Sequence, residues 1–582
     1  MASTRSPFQT LPMVVVCKVV EYLEGRRRNS FNPDIDEHNK TKSILTPLLF
    51  VSERWRIAAL DSICDNCKFD FDTSRESVEV SYPAWPADFS YPRFRKNNLV
   101  KQVVVAAEFW ADLYTGKFCQ VIARPQYESL IFSTAATLIL NLSGSIIESS
   151  KPSSSRYSYN VPSDVDIQKT AASIVESLLH LTPALVGITV SVIPDQVTHR
   201  DYRGHYNQQT DFGDLYGKIV SELCRGSAKS LQVFSKRNDP PISFGLSAIS
   251  GLTSITHGVA ISCEPFSKLA YLNAPTLKAL DMKLATEIEW TKMIYGGTTA
   301  PACFTSLASL TLAIPSVAYS VNWAVVEDIA PFPVLSTLAI SGGYPFDDDL
   351  LFRENGGTMK CLSIPFSALA RNVLGRFGVL KRSGVTQMTR VCIGEVTDLD
   401  NEFMARRTVI PIKQQMHRIL EVALALKLRN DTSDFQMFYA VHNAPSTATL
   451  RCLEFGNISV DTSYIIRIVS AIPSLVSLTC VVGGLGITIE SIVASKRPSR
   501  LHTKYYPLGA NFRRLAIPYT AGTSAEQAAY AAMYIAILCP SFTHLDISPK
   551  LRNPFSREIA WAAFNCPFEA YADTLRRLIY RM

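Results

Sequence analysis

FTSLASLTLAI at residues 304–314, FPVLSTLAI at 332–340, IPSLVSLTC at 472–480 and CPSFTHLDI at 539–547 share one spacing. In each, a large apolar residue is followed by two smaller or polar ones, then Leu, one more residue, and a last apolar side chain. The central residue of this pattern recurs as Leu280, Leu310, Leu338, Leu362, Val391, Leu453, Leu478, Leu515, Leu545 and Leu578, with steps of 30, 28, 24, 29, 62, 25, 37, 30 and 33 residues. The step of 62 is close to two repeats. A short apolar strand returning at a drifting period of this size is the pattern of a solenoid, in which each unit buries its apolar face only by stacking on its neighbours. Weaker copies centred on Val103, Leu138, Ile188 and Leu231 carry the array upstream.

Between the copies the chain reads as helix. Residues 163–181 open with Ser163 and Asp164 as capping candidates, and residues 414–428 and 461–471 are also amphipathic. Pro183, Pro333, Pro473 and Pro540 each stand just ahead of a strand and mark the corner between helix and strand. The repeating unit is therefore helix, turn, short strand, turn, and the fold class is α/β.

Composition agrees with this. The chain has 582 residues, 47% hydrophobic and 19% charged, which excludes a disordered protein. A net charge of +7 permits anionic partners without demanding them. Thirteen cysteines without a regular framework read as reduced thiols of an intracellular compartment, cytoplasm or nucleus. Lys18 and Glu21 break the N-terminal apolar stretch, and residues 528–539 are too short for a membrane span. The sequons at Asn141, Asn430 and Asn457 are read as ordinary asparagines.

Ahead of the repeats, residues 11–23 place Val15, Val16, Val19, Val20 and Leu23 on one helical face, and residues 44–60 form a second helical pattern. The polar loop 24–43 separates them. This gives a helical module over 1–80, a Pro-rich linker over 81–98 and a solenoid over 99–582.

The repeats resemble leucine-rich repeats, whose strands line the concave side of a horseshoe, although the Asn or Cys of that pattern is missing from most copies. The N-terminal region resembles an F-box. Leu11 and Pro12, then Val15, Val16, Val19 and Leu23, match its opening; Leu48, Val51 and Trp55 match its close, with Val14 in place of the usual Glu and Ser52 in place of Cys. The resemblance implies that these nine residues dock a Skp-type adaptor of a cullin ubiquitin ligase while the repeat surface binds a target protein. The alternative is that the same helices only cap the first repeat, leaving a leucine-rich-repeat scaffold that binds protein or nucleic acid with no ligase link.

Other motifs carry less. His199, Arg200 and Asp201, with Asp211, Phe212 and Gly213 close behind, look kinase-like, but Tyr206 stands where Asn is needed and no Gly-rich loop lies upstream; a polar loop accounts for them. Cys64 and Cys67 form an isolated C-x-x-C without the second pair a zinc site requires. No catalytic cluster, metal site or cofactor motif is present, so the expectation is a protein that is not an enzyme. Within the run 496–514, Lys496, Arg497, Arg500, Lys504, Tyr505, Tyr506, Arg513 and Arg514 form a candidate anion or partner surface, weighed against a solvated loop. Nucleic acid is not the expected partner.

Overall fold

A computed structural model describes residues 11–25, 43–63, 66–72, 77–81, 99–106, 117–127, 130–143, 164–193, 209–235, 249–261, 263–284, 290–295, 301–314, 331–342, 359–364, 388–394, 409–428, 441, 444, 447–483, 510–519, 525–539, 541–565, 572–574 and 576–577. They fall into two compact units: Met1–Ala285 with Tyr295–Pro301, and Thr286–Ile294 with Ala302–Met582.

The first unit opens with helix α1 (Met13–Gly25), a 3-10 helix (Ser43–Phe50) and α2 (Glu53–Ile63). Strand β1 (Asn66–Asp72) follows directly, pairing antiparallel with β2 (Ser77–Ser81) and parallel with β3 (Gln102–Ala106). These strands correct the expectation that residues 1–80 are helical throughout. The segment NCKFDFD alternates apolar and polar residues, and Cys67 and Phe69 are buried, which is the period of a strand. The sheet therefore starts ahead of the Pro-rich segment, of which residues 82–98 lie outside the described residues.

From β3 the strands add in chain order, all parallel: β4 (Thr137–Ser143), β5 (Gly187–Ile193), β6 (Ser230–Ser235), β7 (Ser254–Ile261) and β8 (Ala279–Leu284). Helices α3 (Lys117–Ile122), α4 (Asp164–Leu181), α5 (Gln209–Gly226) and α6 (Cys263–Asn273) lie between them in the chain, and α4 packs on both α3 and α5. Parallel neighbours require such crossovers. Pairing in sequence order, with helices stacked on helices, makes the unit a solenoid-like repeat array.

The second unit continues the plan with β9 (Ser309–Ile314), β10 (Thr337–Gly342), β11 (Cys361–Ile364), β12 (Arg390–Ile393), β13 (Ala425–Leu428), β14 (Cys452–Val460), β15 (Ser477–Val482), β16 (Arg514–Ile517) and β17 (His544–Ile547). From β10 on, each is parallel to the one before. Helices α7 (Val409–Val422), α8 (Thr462–Ala471), α9 (Ala525–Leu538) and α10 (Pro549–Asn565) accompany them, with α9 packed on both α8 and α10.

Three sequence expectations change. Residues 414–428 are not one helix: α7 ends at Val422 and β13 begins at Ala425, supplying the strand hidden in the 62-residue step, with Leu426 paired to Val391 and Leu453. β7 was also missed, because His257 takes the last apolar place of its pattern and is buried there. The final copy, centred on Leu578, is not seen as a strand: residues 572–574 and 576–577 are helical, and 578–580 lie outside the described residues.

The core is a set of columns running across the strands. Leu138, Ile188, Leu231, Ile255 and Leu280 are in register and buried in the first unit. Leu310, Leu338, Leu362, Val391, Leu426, Leu453, Leu478, Leu515 and Leu545 do the same in the second. Each such side chain contributes about 1.5–3 kcal/mol of burial against its unfolded exposure. Phenylalanines form a second column at the turns, with ring centroids 5.2 Å apart for Phe304 and Phe332 and 6.2 Å apart for Phe512 and Phe542.

The prolines act in the turns. Leu185 N–H donates to Thr182 O, Leu335 to Phe332 and Leu475 to Ile472, so Pro183, Pro333 and Pro473 each occupy the second position of a β-turn, where the fixed φ of proline is already suitable; Phe542 N–H likewise donates to Cys539 O, and Pro540 lies outside the described residues. Hydroxyls beside these turns tie one repeat to the one before it: Thr276 to Leu252 O at 2.8 Å, Ser336 to Ala308 O at 3.1 Å, Ser474 to Leu450 O at 2.8 Å and Ser541 to Phe512 O at 2.9 Å. They span sequence separations of 24 to 29 residues, which is the repeat length itself.

Candidate docking face of the N-terminal helices

Helix α1 starts where Pro12 O accepts the N–H groups of Val15 and Val16, and a proline there has no N–H to leave unpaired. Val16 and Val20, one turn apart, point inward to meet Leu45, Leu49, Trp55, Ala58, Ala59 and Leu60 in a closed cluster. Two arginines of α2 fix the packing. Arg54 Nη1 donates to Leu11 O at 2.9 Å and Arg56 Nε to Leu49 O at 2.9 Å, which brings the first turns of α1 and α2 side by side.

What this arrangement leaves outside is apolar. Val14 is 67% exposed, Val15 40% and Phe50 70%, and Pro12, Val51 and Ile57 are also exposed. Lys18, Glu53 and Arg54 stand exposed on the same helices and give the face a charged border, the usual anatomy of an interface. A module with more apolar surface than it can bury alone is a candidate partner site.

The expected docking residues thus divide. Val15 and Val51, with Pro12, lie on the exposed face, while Leu11, Val19 and Leu48 are half-buried against the cluster. Val16 and Trp55 are corrected: at 0% and 5% exposure they are interior residues that hold the helices together and offer no contact surface. Leu23 lies in α1, with its side chain outside the described set. Val14, Phe50 and Ile57 were not among the expected docking residues, although Phe50 and Ile57 fit the same closing pattern as Leu48, Val51 and Trp55. The available signal was crowding: Leu48, Leu49, Phe50 and Val51 are four consecutive apolar residues, and no helical turn turns four neighbours inward.

The other sequence candidates resolve as follows. Lys496, Arg497, Arg500, Lys504, Tyr505 and Tyr506 lie outside the described residues. Arg513 and Arg514 lead into β16, both exposed, and Arg514 Nε and Nη2 meet Asp546 Oδ2 at 2.6 Å. His199, Arg200, Asp201 and Tyr206 are outside the described set, whereas Asp211, Phe212 and Gly213 belong to the start of α5 and not to a loop. Cys64 is not described; Cys67 is buried in β1, and burial pushes its thiol up to about 12. The same cause sets Cys224, Cys480 and Cys539 at about 12, and burial also raises the Asp281 carboxyl. Asn141 and Asn457 lie in β4 and β14, and Asn430 is outside the described residues. Among the described residues no His, Cys, Asp or Glu cluster suited to a metal occurs, and no helix is long and apolar enough to cross a membrane.

These features define a class: a repeat-built α/β protein of stacked parallel strands, preceded by a short helical module with an exposed apolar face. No family model matches the chain, and no curated protein matches it. Among solved structures the chain is similar to one in a crystal structure of the Rad7 and Elc1 complex in yeast, with 11% identity and a TM-score of 0.25 over 78% of this chain and 78% of that one. At that distance the assignment of the fold rests on the strand register and helix order of the chain itself.

Proposed function

We propose that this protein is a substrate-recognition subunit of a cullin-type ubiquitin ligase, its F-box-like helices docking a Skp-type adaptor and its repeat surface holding a target protein. The observation that carries the reading is the exposed apolar face at the first turns of α1 and α2. On this reading the chain performs no chemistry. It raises the local concentration of a target beside a ligase, an effect of proximity alone, and acts in the cytoplasm or nucleus without cofactor or metal.

The test is capture of a purified Skp-type adaptor by the full chain and by two variants. Phe50→Ala combined with Val15→Glu changes only exposed positions, so it should abolish capture while leaving the melting temperature within a degree or two. Trp55→Ala removes a buried indole and should lower stability as well as capture, by about 3–5 kcal/mol. Absence of capture by the unaltered chain would refute the docking role. The second reading, a scaffold whose helices merely cap the array, is favoured by Leu99, which packs on the module just before β3; it predicts no adaptor binding and an intact repeat array.

A further inference from the structure

The alternation that buries the central Leu of each strand turns the residues on either side of it toward the open face of the sheet, and the residue two places before it, which lies ahead of the strand in β11, β14 and β16, is exposed at the strand's entry. In the second unit this face is asymmetric in charge. Counting the two residues before and the one after each central residue in β9–β17, six are Lys or Arg and two are acidic. The acids are already engaged: Glu454 pairs with Lys427 on the neighbouring strand, and Asp546 with Arg514. Lys360, Arg390, Arg451 and Arg513 remain, all exposed, with no ion-pair partner among the described residues.

These four lie hundreds of atoms apart along the chain and close together in space. Lys360 immediately precedes β11, Arg390 opens β12, Arg451 precedes β14 and Arg513 precedes β16, all at the same end of the parallel run β11–β16, with β13 and β15 between them. With strands about 4.8 Å apart, the row runs about 24 Å, the span of about seven residues of extended chain. Between the cations the same positions hold the small residues Cys361, Ser363, Ala425, Ser477, Thr479 and Ala516, together with Thr389, Leu424, Val476 and the Lys427–Glu454 pair. A second chain crossing the strands meets the partly exposed Leu424 and Val476 between the cations and otherwise small side chains.

We infer that this row is a binding surface for an acidic peptide segment of the target protein, crossing β11–β16 at the entry ends of the strands. Guanidinium groups take carboxylates through two parallel N–H donors, and three of the four free cations are arginines. A single-stranded nucleic acid fits less well, because base binding relies on aromatic platforms and these rows hold no Phe, Tyr or Trp. The inference deepens the target-binding half of the proposed function. It rests on reading the open sheet face as the binding face and is independent of adaptor docking.

The test uses the full chain and a fluorescein-labelled twelve-residue peptide in which Asp and Glu alternate with Ser and Gly, followed by anisotropy at low and high salt. The unaltered chain should bind, more weakly as salt rises. Arg390→Glu with Arg451→Glu should weaken binding by at least about tenfold, and the milder Lys360→Gln with Arg451→Gln by about threefold; the milder pair carries the test if the reversal pair loses cooperative melting. The peptide should also shield Cys452, exposed beside Arg451, from iodoacetamide. Affinity unchanged in both pairs would overturn the inference, as would a uridine oligomer of equal charge that binds as tightly and is equally weakened. Adaptor capture measured on the same variants should be unaltered. Loss of peptide binding with capture intact concerns the basic row, and loss of capture with peptide binding intact concerns the docking face alone.

Discussion

Asn273 is fully buried at the last residue of α6 and makes three hydrogen bonds of 2.8 Å: its Oδ1 accepts from Leu252 N–H, and its Nδ2 donates to Ile249 O and Leu269 O. It thereby joins the chain entering β7 to the helix that follows it. Replacing Asn273 by Ala removes all three bonds and strands two loop groups, the Leu252 N–H and the Ile249 carbonyl, in an interior where water does not reach them. An orphaned buried group costs about 1–3 kcal/mol, so the loss for two should be about 2–6 kcal/mol. For a unit of this size that lowers the melting temperature by about 5–15 °C. Calorimetry should show the shift confined to the transition of the first unit, and amide exchange should show Leu252 losing protection while the amides of β10 and β15 keep theirs. A loss below about 0.5 kcal/mol with Leu252 still protected would refute the view that this side chain bears the connection.

Three further predictions concern the same framework. Gly342 ends β10 with φ of 78°, and a Cβ there would collide with the carbonyl oxygen of Ile314 on β9; Gly342→Ala should cost at least about 2 kcal/mol in urea denaturation. Leu338→Ala, at a fully buried central position, should cost about 2–5 kcal/mol, and a value under 1 would mean that the column around it collapses freely. Because burial raises Cys67, Cys224, Cys480 and Cys539 to about 12 from an ordinary value near 9, the unfolded chain loses these protons first as pH rises; stability should be unaffected by them below pH 9 and fall between about 9 and 12, and at pH 8 iodoacetamide should label exposed Cys303 and Cys452 well before these four.

The repeat was legible in the sequence because a strand that packs on one face must place apolar residues at fixed offsets, and Leu310, Leu338, Leu478 and Leu545 satisfy that rule without competition. It failed where another residue could fill the same space. His257 stands in for an aliphatic residue in β7, and the first residues of β13 extend the helical pattern of α7 so smoothly that periodicity did not separate them. The site was half legible. Motif matching found the helices but not which side of them is outside, since Val15 and Val16 are equally apolar and only packing distinguishes them. Of the row from Lys360 to Arg513 only Arg513 stood out in the sequence, as part of the basic run 496–514, because the row exists only once the strands between are laid side by side.

The step from Leu453 to Leu478 is 25 residues and that from Leu478 to Leu515 is 37, yet both pairs sit directly opposite each other in the sheet. The reason is the grip at the entry of each strand, where Arg451 O accepts the N–H groups of both Val476 and Ser477, and Val476 O those of both Arg513 and Arg514. Distance in the sheet is set at that grip, whatever length of chain is spent between one strand and the next. A dozen extra residues leave no trace on the register. The segments between strands are thus the natural place to add material: an inserted epitope or fluorophore there should leave the sheet unaltered, and a chain built this way can acquire new loops without redesigning the interior that supports them.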